Sequence, residues 1–408
     1  MSATLVANVR AVLPGRIAED ATVAFEDGTI LSVEEGSRYR GALDGRGAFC
    51  LPGLIDSHSD AIEREIFPRR TVRLDVAFAL RCLEARFVAA GVTTAFHGVN
   101  FGDYGQARTV EMAVEIAETI GERRKQAIAP LHHRVLFRIP ARNKRGLAEA
   151  LSHLGTGQDS GDVPVMSFED HTPGQGQFRD LAKLKEAIDP DELAPGEDLD
   201  TLLARKMEEA EKLLPSKIRN REKLSALAIE GAARVLAHDA QDAEEVAQAH
   251  GWGAAVAEFP VSLEAAAAAR KHQMPVVMGA PNALRGASHS GNVSAEELVA
   301  KGLCTGLASD YLPASLLASV FGLAGRGICS LPEAVRLVTA GPAEVVGLED
   351  RGRLERGLRA DLVLVEMDGR WPSVRWSACQ PSPEAQAVQH PNKQITYVKE
   401  TNETGISS

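Results

Sequence analysis

From Gly53 to about residue 341 the chain repeats one rhythm, in which a short apolar segment is followed by a polar loop and a helix-forming stretch. The apolar segments are predicted strands, at Leu51–His58, Gly91–Val99, Val135–Ala141, Val163–His171, Arg234–Asp239, Ala254–Val261, Pro275–Asn282 and Thr305–Tyr311. Predicted helices lie between them, for example at 74–90, 107–127, 240–250 and 262–272. Eight such units predict an α/β fold, a closed (β/α)8 TIM barrel. An open doubly wound sheet is the alternative, but no GxGxxG motif follows the early strands.

The segments that flank the barrel have a different pattern. Residues 1–52 and 342–370 contain short β-rich runs with Gly and Asp turns, which predict a small β-sandwich domain formed by both terminal segments around a barrel at 53–341. A charged insertion near 180–223 favours helices, either a solvated pair that caps the barrel or a lid whose basic residues reach a phosphate. The tail at 371–408 loses its periodicity, so we expect it to be poorly ordered and the last sandwich strand is in doubt.

Charge and cysteine content restrict the class of partner. The chain has 408 residues and a formal net charge of -11, which argues against a nucleic-acid or anionic-membrane binder. A few local arginines can still hold a phosphorylated small molecule. The five cysteines show no CxxC spacing, and the chain contains neither a secretory leader pattern nor an apolar run of membrane-spanning length. We therefore expect a cytoplasmic protein.

Imidazole and carboxylate groups close five of the eight predicted strands, at the end where barrel active sites lie. These groups suit a divalent ion, and one or two ions of zinc, manganese or a similar metal are expected. His58 and Asp60 are two positions apart, so an extended strand directs both side chains to one face. The candidate ligands are His58, Asp60, Asp170, His171, His238, Glu258 and Asp310, and the fourth-strand ligand among Glu169, Asp170 and His171 stays open.

Two loops are rich in glycine and in hydrogen-bond donors. They are EDHTPGQGQF at 169–178 and GAPNALRGASHSGN at 279–292, each after an apolar strand. Such loops suit an oxyanion such as phosphate. The alternative for either loop alone is an ordinary glycine-rich turn.

Several motifs resemble a known family. LPGLIDSHSD at 51–60 resembles the first-strand motif of the amidohydrolase superfamily, and GPAEVVGLEDRGRLERGLRADLVLVE at 341–366 resembles its C-terminal motif. The segments EDHTPGQGQF, LAHDA, AEFPVSLEAA, MGAPNALRGASHSGNVSA and ASDYLPASLL resemble the phosphonate-metabolism protein M branch of that superfamily. The resemblance covers roughly residues 1–368.

The resemblance implies a metal-dependent hydrolase of phosphonate catabolism. Members of the branch cleave the triphosphate arm of a ribosyl phosphonate with water, releasing pyrophosphate and leaving the 5-phosphate. By position, Asp310 is the expected proton acceptor as well as a metal ligand. The expected phosphate contacts are Arg285, Ser288, His289 and Asn292.

Two other functions fit the same patterns. One is a deaminase or cyclic-amide hydrolase on the same scaffold, since a fold does not fix a function. The other is a non-catalytic barrel that serves as an assembly subunit, although the presence of His58, Asp60, His238 and Asp310 together argues against it. Whether the chain forms a homo-oligomer stays open.

Overall fold

A computed structural model describes residues 3–36, 39, 41–69, 71–103, 108–156, 162–188, 193–194, 196–286 and 292–380. The strands are β1 (Thr4–Leu13), β2 (Arg16–Glu26), β3 (Thr29–Glu35), β4 (Leu43–Asp44), β5 (Phe49–Pro52), β6 (Leu54–Ser59), β7 (Val92–Asn100), β8 (His132–Pro140), β9 (Val165–Glu169), β10 (Arg234–His238), β11 (Val256–Glu258), β12 (Val276–Gly279), β13 (Gly306–Ala308), β14 (Leu362–Asp368) and β15 (Trp371–Ala378). The helices are α1 (Ala61–Ile66), α2 (Val76–Ala89), α3 (Val110–Arg124), α4 (Lys144–Ser152), α5 (Leu181–Ala187), α6 (Leu199–Lys212), α7 (Leu214–Ile229), α8 (Ala243–Gly251), α9 (Leu263–Lys271), α10 (Ala280–Arg285), α11 (Ala295–Ala300), α12 (Ser315–Gly325), α13 (Leu331–Arg336) and α14 (Ala340–Val346).

Strands β6 to β13 form one eight-stranded parallel sheet in chain order. The first and last of them meet where Ser59 bridges Asp310, with Asp310 N donating to His58 O at 3.0 Å. Each of the eight observed strands overlaps a predicted one, so the predicted barrel is confirmed.

The two-residue period of the strands separates two kinds of environment. Ala95 and Val99 of β7 face the outer helices in the main hydrophobic core, whereas Phe96 between them faces the barrel interior. The lower interior is apolar and is closed by Val345 and Val346 of α14. Two residues further along several strands the interior positions become polar, as with Leu236 and then His238. The fold therefore places the histidines and carboxylates of the candidate site toward the upper end.

Several helices begin at a residue whose side chain caps the helix N-terminus. The side chains of Asp75, Thr109, Asp242 and Ser262 each accept a hydrogen bond from a backbone N–H in the first turn of α2, α3, α8 and α9. These caps fix where each helix begins, directly after the loop that crosses the barrel mouth. No helix within the described ranges combines the length and apolarity needed to cross a bilayer.

Both terminal segments build a second sheet of seven strands, in the order β15-β14-β5-β1-β2-β3, with β4 paired to β1. The predicted small β domain from both termini is therefore present, with its strands hydrogen-bonded in one continuous sheet. The expectation of an irregular tail after Arg370 is wrong for its first part. Trp371–Ala378 pairs antiparallel with β14, and Trp376 packs on the core of this sheet. Residues 381–408 lie outside the described residues, and the domain boundaries stay a prediction.

Helices α5, α6 and α7 form the insertion between β9 and β10. Leu202, Leu203 and Leu224 are buried, and Asn220 donates to the carbonyl oxygen of Ala141 at 3.0 Å. The insertion is thus packed against the rim of the barrel. None of its described residues lines the cavity at the barrel mouth, so the structure favours the packed pair of helices over the lid.

Candidate metal centre

A cavity of about 290 Å³ opens at the carboxyl ends of the barrel strands. Its lining includes His58, Asp60, Arg108, Arg138, His171, Gln177, Phe178, His238, Asp239, Phe259, Asn282, Arg285, Asn292, Asp310 and Tyr311. A larger cavity of about 750 Å³ lies at the opposite end, between the β1–β2 turn and α13–α14. Size alone would favour the larger one, but it contains none of the predicted metal ligands, so chemistry identifies the mouth as the site.

The first cluster of possible ligands joins the first and last barrel strands. His58, Asp60 and Asp310 each offer one ligand atom, and these atoms all lie within 4.8 Å of one another. His58 Nε2 is 3.3 Å from Asp60 Oδ1, which is buried without a hydrogen-bond donor. Asp310 has a positive φ of 56° that turns it back toward the cavity, a conformation non-glycine residues adopt only when their surroundings impose it.

The second cluster consists of His171, His238 and Asp239. Asp239 Oδ2 is 3.8 Å from His171 Nε2 and 3.6 Å from His238 Nε2, and it too is buried without a donor. The sequence analysis missed Asp239 as a ligand because an extended strand would point it away from His238. Its φ of 58° reverses that direction.

Glu258, a predicted metal ligand, lies between the two imidazoles of His58 and His238. Its Oε1 is 2.8 Å from His58 Nδ1 and its Oε2 is 2.9 Å from His238 Nδ1, while Ser167 Oγ donates to the same Oε2. A carboxylate that accepts from Nδ1 fixes the tautomer and leaves Nε2 free for a metal. Glu258 therefore contacts both imidazoles, and with His58 and His238 it forms a third group whose possible ligand atoms all lie within 4.8 Å of one another. Its part as a metal ligand stays a prediction.

The structure separates the three candidates at the end of β9. His171 lines the cavity. Glu169 accepts two hydrogen bonds from Arg138, with Nε–Oε1 at 2.6 Å and Nη2–Oε2 at 2.9 Å. Asp170 was a predicted ligand, but it points elsewhere because successive strand residues alternate in direction.

The carboxylate of Asp170 ties the insertion to the barrel. Its Oδ2 is 3.0 Å from Arg142 Nη2 and 2.6 Å from Lys217 Nζ, and Lys217 belongs to α7. The prediction of Asp170 as a metal ligand is therefore corrected to a structural ion pair.

Burial and dense charge shift the pKa values of the clusters in opposite directions. Burial lowers the pKa of His238, but Asp239 and Glu169 raise it by more, to about 9. Burial raises the pKa of Asp239 to about 6, although the charge of His238 lowers it. Burial and the charge of Asp60 raise the pKa of Asp310. Such perturbed groups gathered in one cleft mark a functional site.

Both clusters fit a divalent ion. Each combines imidazole Nε2 atoms with a buried carboxylate oxygen that lacks a donor, and a cation would satisfy that oxygen. These are the ligands that zinc or manganese takes in hydrolytic sites.

The expected phosphate contacts are only partly described. Arg285, at the end of α10, and Asn292 line the cavity. Ser288 and His289 lie outside the described residues. Arg108 also lines the cavity and grips Glu63 with two nitrogens, at 2.9 and 3.0 Å from Oε2. Sequence reasoning missed Arg108 because it lies after β7, a strand whose end carried no predicted ligand.

Known proteins resemble this chain over nearly its full length. A family model described as Amidohydrolase family matches residues 230–399. The alpha-D-ribose 1-methylphosphonate 5-triphosphate diphosphatase of Escherichia coli (strain K12) is 35% identical over 372 residues, which are 88% of this chain and 94% of that protein.

Solved structures share the fold at low sequence identity. An enamidase described as a member of the amidohydrolase superfamily has a TM-score of 0.58 and 13% identity, covering 98% of this chain and all (100%) of that one. A triazine hydrolase from Arthobacter aurescens has a TM-score of 0.56 and 16% identity, covering 90% of this chain and 88% of its own. With the metal-ligand pattern at the strand ends and the match to the diphosphatase, the chain belongs to the amidohydrolase family.

Proposed function

We propose that the protein hydrolyses the triphosphate arm of alpha-D-ribose 1-methylphosphonate 5-triphosphate, releasing pyrophosphate and leaving the 5-phosphate. One observation carries the proposal. A chain 35% identical to that diphosphatase places two candidate metal clusters and the arginines Arg108 and Arg285 around one cavity. A deaminase or cyclic-amide hydrolase has no need of cationic side chains for a polyphosphate.

The proposed chemistry is metal-assisted hydrolysis. A divalent ion lowers the pKa of a water molecule and offsets the charge of phosphate oxygens. His58, Asp60 and Asp310 would hold it in the first cluster, and His171, His238 and Asp239 offer the second position.

Proton transfer is assigned to Asp310. Its carboxylate lines the cavity beside His58, and its raised pKa makes it a better proton acceptor than an ordinary aspartate.

Substrate binding is assigned to polar residues that line the same cavity. Arg285 and Asn292 would donate to phosphate oxygens, and the guanidinium of Arg108 adds charge from the β7 side. Ser288 and His289, which lie between Arg285 and Asn292 in the sequence, are proposed as further phosphate contacts. The expected partner is thus a phosphorylated ribosyl small molecule in the cytoplasm.

The test is a product assay with three substrates. Purified protein would be given the ribosyl methylphosphonate triphosphate, ATP and the corresponding ribosyl 5-phosphate, with and without a chelator. We expect pyrophosphate from the first substrate, little product from the other two, and no turnover with the chelator. Ammonia release or ring opening from amide substrates without any pyrophosphate would instead favour the deaminase or cyclic-amide hydrolase.

A further inference from the structure

A glycine of β7 lies where a side chain would displace a candidate metal ligand. Gly98 is two positions beyond Phe96, so the period of the strand places it on the interior face of the barrel. Its φ is not positive, so its backbone conformation does not require glycine. Glycine inside a strand lowers stability and often marks a place where another group approaches closely.

The group that approaches Gly98 is the carboxylate of Asp60. A Cβ atom on Gly98 would lie 3.0 Å from Arg138 Cδ and closer still to Asp60 Oδ1. This Oδ1 is the oxygen that lies 3.3 Å from His58 Nε2, and it is buried without a hydrogen-bond partner. The missing side chain of Gly98 therefore leaves room for the oxygen that belongs to the first cluster.

Arg138 fixes the other oxygen of the same carboxylate. It projects from β8, is 3% exposed, and donates from Nη1 to Asp60 Oδ2. Its Nε and Nη2 donate to Glu169 at 2.6 and 2.9 Å, so the guanidinium is itself held in place. Asp60 therefore cannot turn away from a side chain at position 98 without breaking a buried ion pair.

We infer that Gly98 and Arg138 are positioning residues of the metal centre, which act through Asp60. Arg138 holds Oδ2, and the space at Gly98 lets Oδ1 stay beside His58, available to a divalent ion. Strand β7, whose end carries no predicted ligand, thus contributes to the site by the side chain that it lacks. The inference rests on the proposed metal centre.

The charge of Arg138 and its contact with Asp60 predict opposite effects on metal affinity. A guanidinium beside a metal site repels the cation, so removal of the charge alone would tighten metal binding. Loss of the contact with Asp60 would weaken binding, because residues that orient metal ligands contribute about ten- to a hundredfold to metal affinity. For a positioning residue we therefore expect Arg138→Met to bind the ion more weakly than wild type.

The experiment measures metal affinity in the absence of substrate. Full-length protein would be stripped with a chelator and titrated with Mn²⁺, and electron paramagnetic resonance would report the free ion. The variant Asp60→Ala identifies the binding step of the first cluster, as the step that it weakens. Gly98→Ala changes no charge and no ligand. Its matched control is Gly325→Ala at the end of α12, where a Cβ atom would meet nothing within 4 Å.

We expect Gly98→Ala to weaken the binding step of the first cluster about ten- to a hundredfold, and Gly325→Ala to leave it unchanged. In the Asp60→Ala background, Gly98→Ala should cost less than about twofold more, because the oxygen that its methyl group displaces is gone. Wild-type affinity in Gly98→Ala, or an equal loss in both backgrounds, overturns the inference, as does tighter binding by Arg138→Met. If either Gly98→Ala or Arg138→Met does not fold, the other variant decides the matter.

The pyrophosphate assay separates this inference from the proposed function. Mn²⁺ affinities that follow the expected pattern, without pyrophosphate release by the wild type, would contradict the diphosphatase proposal and leave the positioning roles intact. Normal pyrophosphate release by the wild type, with an Mn²⁺ affinity that Gly98→Ala leaves unchanged, would do the reverse.

Discussion

At the scale of single residues, the direction of a side chain decides its chemistry. Asp239 and Asp310 reach the cavity through positive φ angles of 58° and 56°, whereas Asp170 follows its strand and points outward. The type of residue at each strand end was readable from the sequence, and so were His58, His171 and His238. A left-handed turn at a single position leaves no pattern in the sequence, so Asp239 was not assigned, whereas Asp310, which has the same conformation, was assigned from its match to the family motif.

The position of Arg138 in the candidate site is a second feature that could not be predicted from the sequence. It lies within a predicted strand, and an arginine there is equally compatible with the outer surface. Only the register of β8 against β7 and β9 places it beside Asp60 and Glu169.

Asp310→Asn tests the proposed proton acceptor. The amide keeps the shape but removes the base, so we expect kcat to fall on the order of a hundredfold or more, with KM less affected. Steady-state kinetics of pyrophosphate release measure both constants. A variant with normal kcat would make Asp310 a structural residue.

Arg285→Ala tests phosphate binding. A charge-assisted hydrogen bond is worth about 1.5–3 kcal/mol, so we expect inhibition by pyrophosphate to weaken roughly ten- to a hundredfold, and inhibition by phosphate by less. Arg336→Ala is the control, because Arg336 pairs with Glu344 away from the mouth and should leave both constants unchanged. Equal losses for the two anions together with a lower Tm would indicate that Arg285 merely supports its loop.

At the scale of elements, a buried polar network joins α2, α3 and β8. Glu84 accepts from Arg123 Nε at 2.5 Å and Nη2 at 2.9 Å, and from His133 Nε2 at 2.9 Å. His97 Nε2 lies 2.9 Å from His133 Nδ1 and continues the network into β7. The helix positions were predictable from apolar periodicity, but which buried polar groups pair across elements was not.

Glu84→Gln should lower the free energy of unfolding by about 3–5 kcal/mol at neutral pH, because it leaves Arg123 buried without a carboxylate. Urea unfolding measures the change. Glu122→Gln, on the exposed side of α3, is the control and should change stability little.

The contacts of Glu84 with Arg123 and His133 predict that the free energy of unfolding depends on pH. Burial raises the pKa of Glu84, but hydrogen bonds from His133 and Arg123 lower it by more, from 4.5 to about 2. The stabilisation is therefore complete above the unfolded pKa and is lost as pH falls from about 4.5 toward 2. The difference in stability between wild type and Glu84→Gln should shrink over that window. A constant difference down to acid pH would contradict the assignment.

At the scale of the whole molecule, the alternation of apolar segments and helices was enough to predict the barrel and the β domain built from both termini. The strand β15 was missed because its partner, β14, supplies the regularity that the sequence WPSVRWSA lacks on its own. An edge strand is stabilised by pairing with the sheet, which local composition does not reveal.

Metal removal should abolish turnover while leaving the fold largely intact, since the hydrophobic clusters lie outside the ligand set. Added metal at about 100 times its Kd should raise the free energy of unfolding by about 2.7 kcal/mol. Thermal unfolding and circular dichroism of stripped and reloaded protein check both statements. Full activity in verified metal-free protein would refute the mechanism.

The closure between β6 and β13 passes directly through the first cluster. The hydroxyls of Ser59 and Ser309 meet at 3.1 Å although they are 250 positions apart, and His58, Asp60 and Asp310 lie beside them. During synthesis, this cluster is therefore complete only after residue 310 has left the ribosome, because Asp310 is one of its three residues. Metal binding at this cluster is therefore a late step of folding. An ion bound there would cross-link the first and last strands of the barrel.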